Sequence, residues 1–238
     1  SYISPLAYIK TNIEGTYNVL EAQKNQNIDQ VVITSTSETY GSSQYEPMDE
    51  KHPLLGQSPY SASKISADQL AISYNRSFNL PIKLIRPFNV FGPRQSTRAI
   101  IPTIISQLLY KKKINLGNLK AKRDFTFVSD LCLAYEEILK ADNLIGNPIN
   151  VGTNKNFSIE EIIDLVAKKL NKKNFIINKD NKRIRPKNSE VYNLLCDNRL
   201  LLSETNWRPT ISFSKGLNLT INWLKKNKKY SDISKYHV

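Results

Sequence analysis

The chain contains little cysteine, histidine or methionine, and this scarcity excludes several kinds of site. Among its 238 residues are two cysteines, Cys132 and Cys196, and two histidines, His52 and His237. The cysteines lie far apart and the histidines have no paired ligand, so the spacing of a zinc site is missing. The sequence therefore predicts no metal. Two isolated cysteines are typical of the reducing cytosol, where we expect the protein to reside. A single disulfide between them is the alternative.

Long apolar runs and glycine-rich turns are also missing. No apolar run approaches the ~20 residues that span a bilayer, so the sequence predicts no membrane partner. The 8 glycines are scattered and do not form the Gly-x-x-Gly-x-x-Gly turn that cradles a pyrophosphate. The single methionine is Met48, and residues 1–29 lack the pattern of a signal peptide. We therefore expect the natural start of the chain to lie upstream.

Acidic residues are outnumbered by basic ones, 21 against 34, which gives a net charge of +13. Such an excess can attract nucleic acid or another polyanion. Most of it is lysine among asparagine and isoleucine, in residues 111–113, 171–174 and 225–229. These runs lack the interleaved aromatic residues of a single-strand binding surface. We interpret the charge as a solvated basic face and predict no nucleic-acid partner, with polyanion binding as the alternative.

The hydrophobic pattern of the first 90 residues indicates alternating helices and strands. Residues 5–23 and 61–78 are predicted to be helical. Residues 31–35 and 82–85 are short apolar runs without polar alternation, which is typical of parallel strands covered on both faces. The order helix, strand, helix, strand predicts an α/β fold with a parallel sheet.

Beyond residue 92 the pattern of hydrophobic and polar residues changes, and we predict a second structural unit there. Ser158 and Glu161 form a capping box that opens an amphipathic helix. Other predicted elements are helices at 99–109, 131–140 and 215–225, strands at 123–128 and 149–151, and an irregular basic tail at 172–186. We divide the chain into residues 1–92 with 128–146, and residues 93–127 with 147–238.

One motif suggests chemistry, because Tyr60 and Lys64 are spaced to share a helix face. An ammonium near a phenol lowers the phenol's pKa, so the pair could exchange a proton with a substrate hydroxyl near neutral pH. Tyrosine and lysine occur at this spacing often by chance, so a structural role is the alternative. The context favours chemistry, since Glu38 and residues 86–94 follow predicted parallel strands, where ligands of open α/β sheets bind.

Taken together, the motifs resemble those of extended short-chain dehydrogenase/reductases, in the branch of NAD-dependent nucleotide-sugar epimerases and dehydratases. The matching segments are Asn12-x-x-Gly15-Thr16-x-Asn18, residues 35–41, 59–64 and 86–94, Arg123-Asp124-Phe125, and Arg185-Pro186 with Ser189-Glu190-Val191. Thr36-Ser37-Glu38 and residues 92–102 are most similar to N-acetylglucosamine-type 4,6-dehydratases that supply nonulosonic sugars. The resemblance implies part of a Rossmann-like parallel sheet with a smaller mixed α/β substrate domain.

The resemblance also implies catalytic roles. Tyr60 would take the proton of the sugar 4-hydroxyl, with Lys64 lowering its pKa and Thr36 bonding the C-4 oxygen. Glu38 would remove the C-5 proton before water leaves C-6. Ser37 stands where some relatives carry an acidic aspartate, which leaves the donor to the departing hydroxyl open between Glu38 and water. We expect Glu38, Tyr60 and Lys64 to converge around a void the size of a hexose.

Binding residues are implied in the same way. The cofactor is NAD or NADP, and the residues expected to hold it are Ser35, Tyr60, Lys64, Pro87 and Val90. The partner is a nucleotide-diphosphate sugar, and the residues expected to contact it are Asn89, Arg94, Arg98, Arg123, Arg185 and Glu190. A homodimer is expected to form through helices 5–23 and 61–78, which would pack as a four-helix bundle.

The family's opening strand and glycine-rich turn, on the order of 80 residues, do not occur in this sequence. We therefore expect the isolated chain to bind NAD poorly and to be inactive. A UDP-glucuronate decarboxylase remains an alternative, because such enzymes also carry Ser-Thr-Ser-Glu at this strand end. A 4-epimerase is another, although a small or apolar residue usually stands there in place of Glu38. A non-catalytic polyanion-binding protein of the same fold is the alternative of a different class.

Overall fold

A computed structural model describes residues 1–26, 28–184 and 186–228 of the chain. Its α-helices are α1 Pro5–Tyr8, α2 Gly15–Gln26, α3 Pro59–Phe78, α4 Ile100–Tyr110, α5 Val128–Lys140, α6 Ile159–Lys169, α7 Arg199–Glu204 and α8 Phe213–Lys226. Its strands are β1 Val31–Thr34, β2 Ile82–Pro87, β3 Asn89–Phe91, β4 Lys113–Leu116, β5 Lys122–Phe127, β6 Pro148–Val151, β7 Asn156–Ser158, β8 Ile176–Lys179 and β9 Asn193–Leu194.

The first sheet has the strand order β1-β2-β6, and all of its pairings are parallel. Every residue of β2 is buried, which agrees with the predicted strand covered on both faces. The sheet packs on apolar residues of α5 and α7 on one side, with Trp207 in the same cluster, and on α2 and α3 on the other. The predicted parallel α/β sheet is therefore present.

The position of β6 corrects the predicted division of the chain. Residues 147–238 were expected to belong to the second unit, but Ile149 of β6 pairs with Ile85 of β2. Leu201 and Trp207 also pack on the first sheet. The chain therefore returns to the first sheet after α5, where β6 pairs with the backbone hydrogen-bonding edge of β2 that β1 leaves open.

The second region combines two small sheets with three helices. One sheet contains β3, β5 and β7, with β9 pairing alongside β5, and the other pairs β4 with β8 in parallel. Its core is formed by apolar faces of α4, α6 and α8 around Phe91, Phe125 and Phe127. The capping box of Ser158 and Glu161 opens α6 as predicted.

Several elements differ from the sequence prediction. The predicted helix 5–23 is α1 and α2 joined by a π-helical stretch, Ile9–Glu14, and it ends at Gln26. The predicted irregular tail contains β8, whose four residues are all exposed. Short elements such as β4, β8 and β9 have no periodicity of their own and form through pairing with distant segments. Cys132 and Cys196 are free thiols. Among the residues that the structure covers, no helix combines the length and the hydrophobicity needed to span a membrane.

Candidate active site

A tight turn at the carboxyl end of β1 presents the first group of site residues. Thr36 caps the 3₁₀ turn Ser37–Thr39, its Oγ1 accepting the Glu38 backbone N–H at 3.2 Å. Ser37 and Thr39 are buried within this turn, whereas Glu38 is half-buried. Thr36 has an extended backbone, and the chain turns directly after it. The carboxylate of Glu38 lies on the outer side of this turn.

Helix α3 supplies the second group. Ser58 and Ser61 form a capping box, and Pro59 occupies the first turn, so the helix begins at a defined residue. Tyr60 therefore lies in the first turn and Lys64 one turn later. Thr36 and Tyr60 line the same cavity, and the Tyr8 ring meets the Tyr60 ring edge-on at 5.8 Å between centroids.

Thr36, Glu38 and Tyr60, which we call the acid–base wall, line one cavity of about 400 Å³. Burial raises the pKa of the Tyr60 phenol; the Thr36 hydrogen bond opposes this rise and the Glu38 carboxylate adds to it. An anion close to a phenol disfavours the phenolate. The carboxylate of Glu38 and the phenol of Tyr60 thus border the same cavity.

Lys64 lies differently from the expectation. Its Nζ donates to the carbonyl of Thr34 at 2.6 Å, and it is not among the residues that line the cavity. Burial lowers the pKa of Lys64, and the Asp68 carboxylate opposes that change. The predicted lowering of the Tyr60 pKa by Lys64 is therefore wrong for this structure, since burial of the phenol dominates and its pKa is raised.

A second cavity of about 320 Å³ begins at Glu38 and extends toward β4 and β5. Three cations line it, Arg98, Arg123 and Arg183, which we call the arginine wall. Arg123 is 8% exposed, and its Nη1 donates to the Lys122 carbonyl at 2.8 Å. Guanidinium groups are suited to bidentate recognition of phosphate. Glu38 thus borders both the cavity that contains Tyr60 and the cavity that contains the arginine wall.

The structure brings together most of the residues proposed from the sequence. Besides the acid–base wall, the predicted residues that line the second cavity are Asn89, Val90, Arg98, Arg123 and Glu190. Ser35 and Ser37 are buried, at 5% and 2% exposure, and line neither cavity. Pro87 is buried within β2.

One predicted arginine lies outside the two cavities, and another lies outside the residues that the structure describes. Arg94 is exposed, has a left-handed backbone with φ of 68°, and lies outside both cavity walls. The tight turn after β3 imposes that conformation and directs residue 94 to solvent. Arg185 lies outside the described residues, so its predicted substrate contact is not assessed by the structure.

Sequence reasoning missed several polar lining residues, among them Tyr8, Ser58, Gln95, Asn118 and Arg183. Gln95 lies inside a segment that was singled out, and its Nε2 donates to the Val90 carbonyl at 2.6 Å. Arg183 lies in the supposedly irregular tail and carries no local signal. It reaches the cavity because Asp180 holds it, Nε to Oδ2 at 3.2 Å, after β8 pairs with β4.

The fold is a Rossmann-like parallel sheet, with one cavity lined by a phenol and a carboxylate and another lined by arginines. Residues 1–220 match the family model described as GDP-mannose 4,6 dehydratase. The chain belongs to this family, which is part of the NAD-dependent epimerase/dehydratase branch of the short-chain dehydrogenase/reductases.

Individual relatives carry two kinds of name. The chain is 30% identical over 92% of its length to a putative UDP-glucose 4-epimerase of Methanocaldococcus jannaschii, covering 70% of that protein. It is 30% identical over 97% of its length to a dTDP-D-glucose 4,6-dehydratase of Dictyostelium discoideum, covering 62% of it. A Bacillus anthracis dTDP-glucose 4,6-dehydratase, solved in complex with NAD, matches with a TM-score of 0.85 and 29% identity over 93% of this chain and 70% of its own. The chain thus spans between 62% and 70% of the length of these three proteins.

Proposed function

We propose that the protein is an NAD(P)-dependent nucleotide-sugar 4,6-dehydratase that acts on UDP- or GDP-linked N-acetylglucosamine. One observation carries the proposal: the phenol of Tyr60, the hydroxyl of Thr36 and the carboxylate of Glu38 line one cavity. A 4,6-dehydration needs a group that moves the proton of a hydroxyl and, on the same sugar, a base for a carbon acid. Tyr60 and Glu38 are groups of those two kinds.

The residues fit the nicotinamide end of NAD(P). Lys64 is half-buried at the carboxyl end of β1, and an ammonium has three donors, of which one goes to the Thr34 carbonyl. Lys64 and Tyr60 would therefore hold the nicotinamide ribose, with Ser35, Pro87 and Val90 behind them. When bound, the nicotinamide supplies the hydride acceptor for C-4 and the hydride donor for C-6.

The chain's own residues perform the proton transfers. Tyr60 removes the proton of the 4-hydroxyl, and Thr36 donates to the C-4 oxygen as its charge develops. The resulting 4-keto group acidifies the C-5 proton, which Glu38 removes. Because Ser37 is 2% exposed, it is a poor candidate for protonating the departing C-6 hydroxyl. We assign that proton to Glu38, whose carboxyl group has just received one from C-5, so that loss of water leaves a 4-keto-5,6-ene. Return of the hydride to C-6, together with protonation of C-5 by water, would then give the 4-keto-6-deoxy sugar.

The basic cavity supports the choice of a nucleotide-diphosphate substrate. Arg98, Arg123 and Arg183 would neutralise the diphosphate, and Glu190, which is 9% exposed, would accept from ribose hydroxyls. Since Glu38 borders both cavities, a hexose at the acid–base wall would be joined directly to a diphosphate at the arginine wall. The length of the linkage between sugar and nucleotide suits this arrangement.

We also infer that the protein is a homodimer. Apolar side chains that are between 46% and 60% exposed lie along residues 5–26, namely Leu6, Ile9, Tyr17 and Val19. Packing of these helices against a second copy would remove that surface from water. Light scattering of the purified protein at several concentrations would measure its mass, and a monomer throughout would contradict this inference.

Product analysis tests the proposed reaction. The protein expressed from its complete reading frame is incubated with NAD and with UDP- or GDP-N-acetylglucosamine, and we expect a product that has lost one water. Inversion at C-4 without mass change, or release of carbon dioxide from UDP-glucuronate, would overturn the dehydratase assignment. Salt-dependent binding of a polyanion without turnover would favour the non-catalytic alternative.

Glu38→Gln sharpens the test, because glutamine keeps the size of the side chain and loses the base. We expect the rate of water loss to fall by about 10²–10⁴-fold, while reduced nicotinamide from the C-4 oxidation still appears. Glu14→Gln, on the π-helical stretch, is the matched control and should leave the rate unchanged. Equal water loss by Glu38→Gln and the unmodified protein would show that Glu38 is not the base.

A further inference from the structure

Arg86, near the end of β2, is a buried cation that bonds to two other elements at once. Its side chain is 2% exposed. Its Nε donates to Asp68 Oδ2 on α3 at 3.0 Å, and its Nη1 donates to the Tyr40 hydroxyl at 3.1 Å. Its guanidinium carbon also lies 5.0 Å from the centre of the Tyr40 ring. Since a buried charge must keep its partners, these bonds fix how α3 and Tyr40 lie relative to β2.

Each partner of Arg86 is close in the chain to a part of the acid–base wall. Asp68 lies on α3 one turn beyond Lys64 and two turns beyond Tyr60. Tyr40 closes the turn that carries Glu38, its backbone N–H donating to the Ser37 carbonyl at 3.1 Å. Asp68 and Tyr40 are both 0% exposed. Arg86 therefore connects, through buried bonds, the two elements that meet at the cavity lined by Thr36, Glu38 and Tyr60.

Tyr40 is anchored on its other side as well. Its hydroxyl donates to Asn150 Oδ1 on β6 at 2.7 Å, and Asn150 Nδ2 donates to the Met48 carbonyl at 3.0 Å. Burial raises the pKa of Tyr40, which keeps the hydroxyl protonated and able to donate while it accepts from Arg86. The network thus connects α3, β2 and β6, and it fixes the position of the turn that contains Tyr40 relative to these elements.

Asp68 has a second role beside its bond to Arg86. Its carboxylate favours the charged form of Lys64, one helical turn away, against the effect of burial. The buried carboxylate of Asp68 therefore stabilises the charged forms of two cations, Lys64 and Arg86. Such an arrangement couples the position of Arg86 to the charge of Lys64.

We propose that Asp68, Arg86 and Tyr40 form a buried clamp that positions Tyr60 and Lys64 against Thr36 and Glu38 for oxidation at C-4. The proposal rests on the proposed function insofar as it names the C-4 oxidation. These three are positioning residues, since none of them lines the cavities. Their effect on catalysis passes through the relative placement of α3 and the turn.

Arg86→Lys tests the clamp, because lysine keeps the charge but has one nitrogen and cannot reproduce the fork that bonds Asp68 and Tyr40 together. A displacement of about 1 Å in a catalytic group can reduce a rate by about 100-fold. We expect kcat to fall by about this factor with KM within a few-fold of the unmodified value. Tyr40→Phe, which removes only the hydroxyl, should cause a smaller fall in kcat in the same sense.

Lys83→Met is the matched control. Lys83 lies on the same strand as Arg86 and is also fully buried, but its Nζ donates to the carbonyls of Ile138 and Leu139 at 2.9 Å, away from the site. We expect this variant to lose stability while its kcat remains unchanged. A fall in kcat that is shared by Lys83→Met and Arg86→Lys would indicate general destabilisation and overturn the clamp.

Hydrogen exchange supplies a readout that does not require turnover. In Arg86→Lys, we expect faster exchange of the backbone amides of residues 36–41 and of the first turns of α3, with no such change in Lys83→Met. A folded Arg86→Lys protein with unchanged exchange and kcat within twofold of the unmodified protein would overturn the proposal. If Arg86→Lys does not fold, Tyr40→Phe is judged by the same two measurements.

The assay separates this proposal from the proposed function. Oxidation at C-4 is shared by 4,6-dehydratases and 4-epimerases, so kcat is measured for whichever product the unmodified protein forms. An epimerised product would overturn the dehydratase assignment, and the comparison of Arg86→Lys with Lys83→Met would still decide the clamp.

Discussion

The acid–base wall is held by bonds between buried side chains, whereas the arginine wall is held mainly by backbone pairing close to the surface. Behind Tyr60 and Glu38 lies the network of Asp68, Arg86 and Tyr40. Arg183, in contrast, follows β8, whose Ile176 and Ile177 are 64% and 40% exposed. Groups that transfer protons need fixed positions, while a wall that contacts a flexible diphosphate tolerates adjustment. The comparison teaches that the two halves of one cleft can differ in rigidity.

Removing the Tyr60 hydroxyl should give the largest effect. Tyr60→Phe keeps the ring and its contact with Tyr8 but loses the proton carrier, so we expect kcat to fall by about 10³-fold. Steady-state turnover measures this loss. Tyr110→Phe, which changes an exposed tyrosine at the end of α4, is the control. A fall of less than tenfold in Tyr60→Phe would show that the rigid wall is not the centre of the chemistry.

The second prediction concerns the buried carboxyl that supports the arginine wall. Asp124 accepts from the Thr153 backbone and hydroxyl at 2.9 and 2.8 Å and from the Cys196 backbone at 3.3 Å. Burial raises its pKa from 3.8 to about 6, with these hydrogen bonds opposing the rise. The folded state therefore binds a proton more tightly than the unfolded state does. The stability contributed is present below the unfolded pKa and is lost as the pH rises through the folded one.

Asp124→Asn cannot titrate, so it isolates this contribution. We expect the free energy of unfolding of the unmodified protein, relative to Asp124→Asn, to increase by about 2 kcal/mol as the pH falls from about 7 to about 4. Urea unfolding at several pH values measures the difference. A difference that is independent of pH would show that Asp124 keeps an ordinary pKa in the folded protein.

The smallest expected effect comes from Gly117, where β4 leads into the arginine wall. A Cβ at this position would lie 2.6 Å from the carbonyl oxygen of Arg183, so Gly117→Ala must displace that backbone. We expect KM for the nucleotide sugar to rise by about tenfold, which corresponds to the loss of one charged contact, with kcat nearly unchanged. Gly15→Ala is the control, because its Cβ would meet Lys10 at 3.9 Å. A fall in the kcat of Gly117→Ala as large as the rise in its KM would show that the two walls are not independent.

Much of the site could be predicted because its residues lie at a helix start and at a strand end, which short sequence patterns reveal. Tyr60 and Lys64 share one helix, and Glu38 immediately follows a strand, so helical spacing and the strand-end rule place them near each other. The direction of the Tyr60 pKa could not be predicted, since it depends on burial by surrounding segments. Arg94 and Arg98 are equally basic and four residues apart, yet only Arg98 lines a cavity. A backbone turn, which the side-chain pattern does not reveal, separates them.

The sequence by itself determined the alternation of helices and strands in the first 90 residues and the placing of Tyr60, Lys64 and Glu38 at a helix start and a strand end, because these follow from periodicity and spacing within a few residues, whereas Thr36 was identified through the family resemblance. Only the tertiary structure decided that β6 returns to β2, that β8 pairs with β4 to bring Arg183 to the cleft, and that Arg86 joins Asp68 to Tyr40. Those contacts connect residues far apart in the chain. Their free energy comes from burial and from satisfying buried charges, which exist only once the segments have packed together.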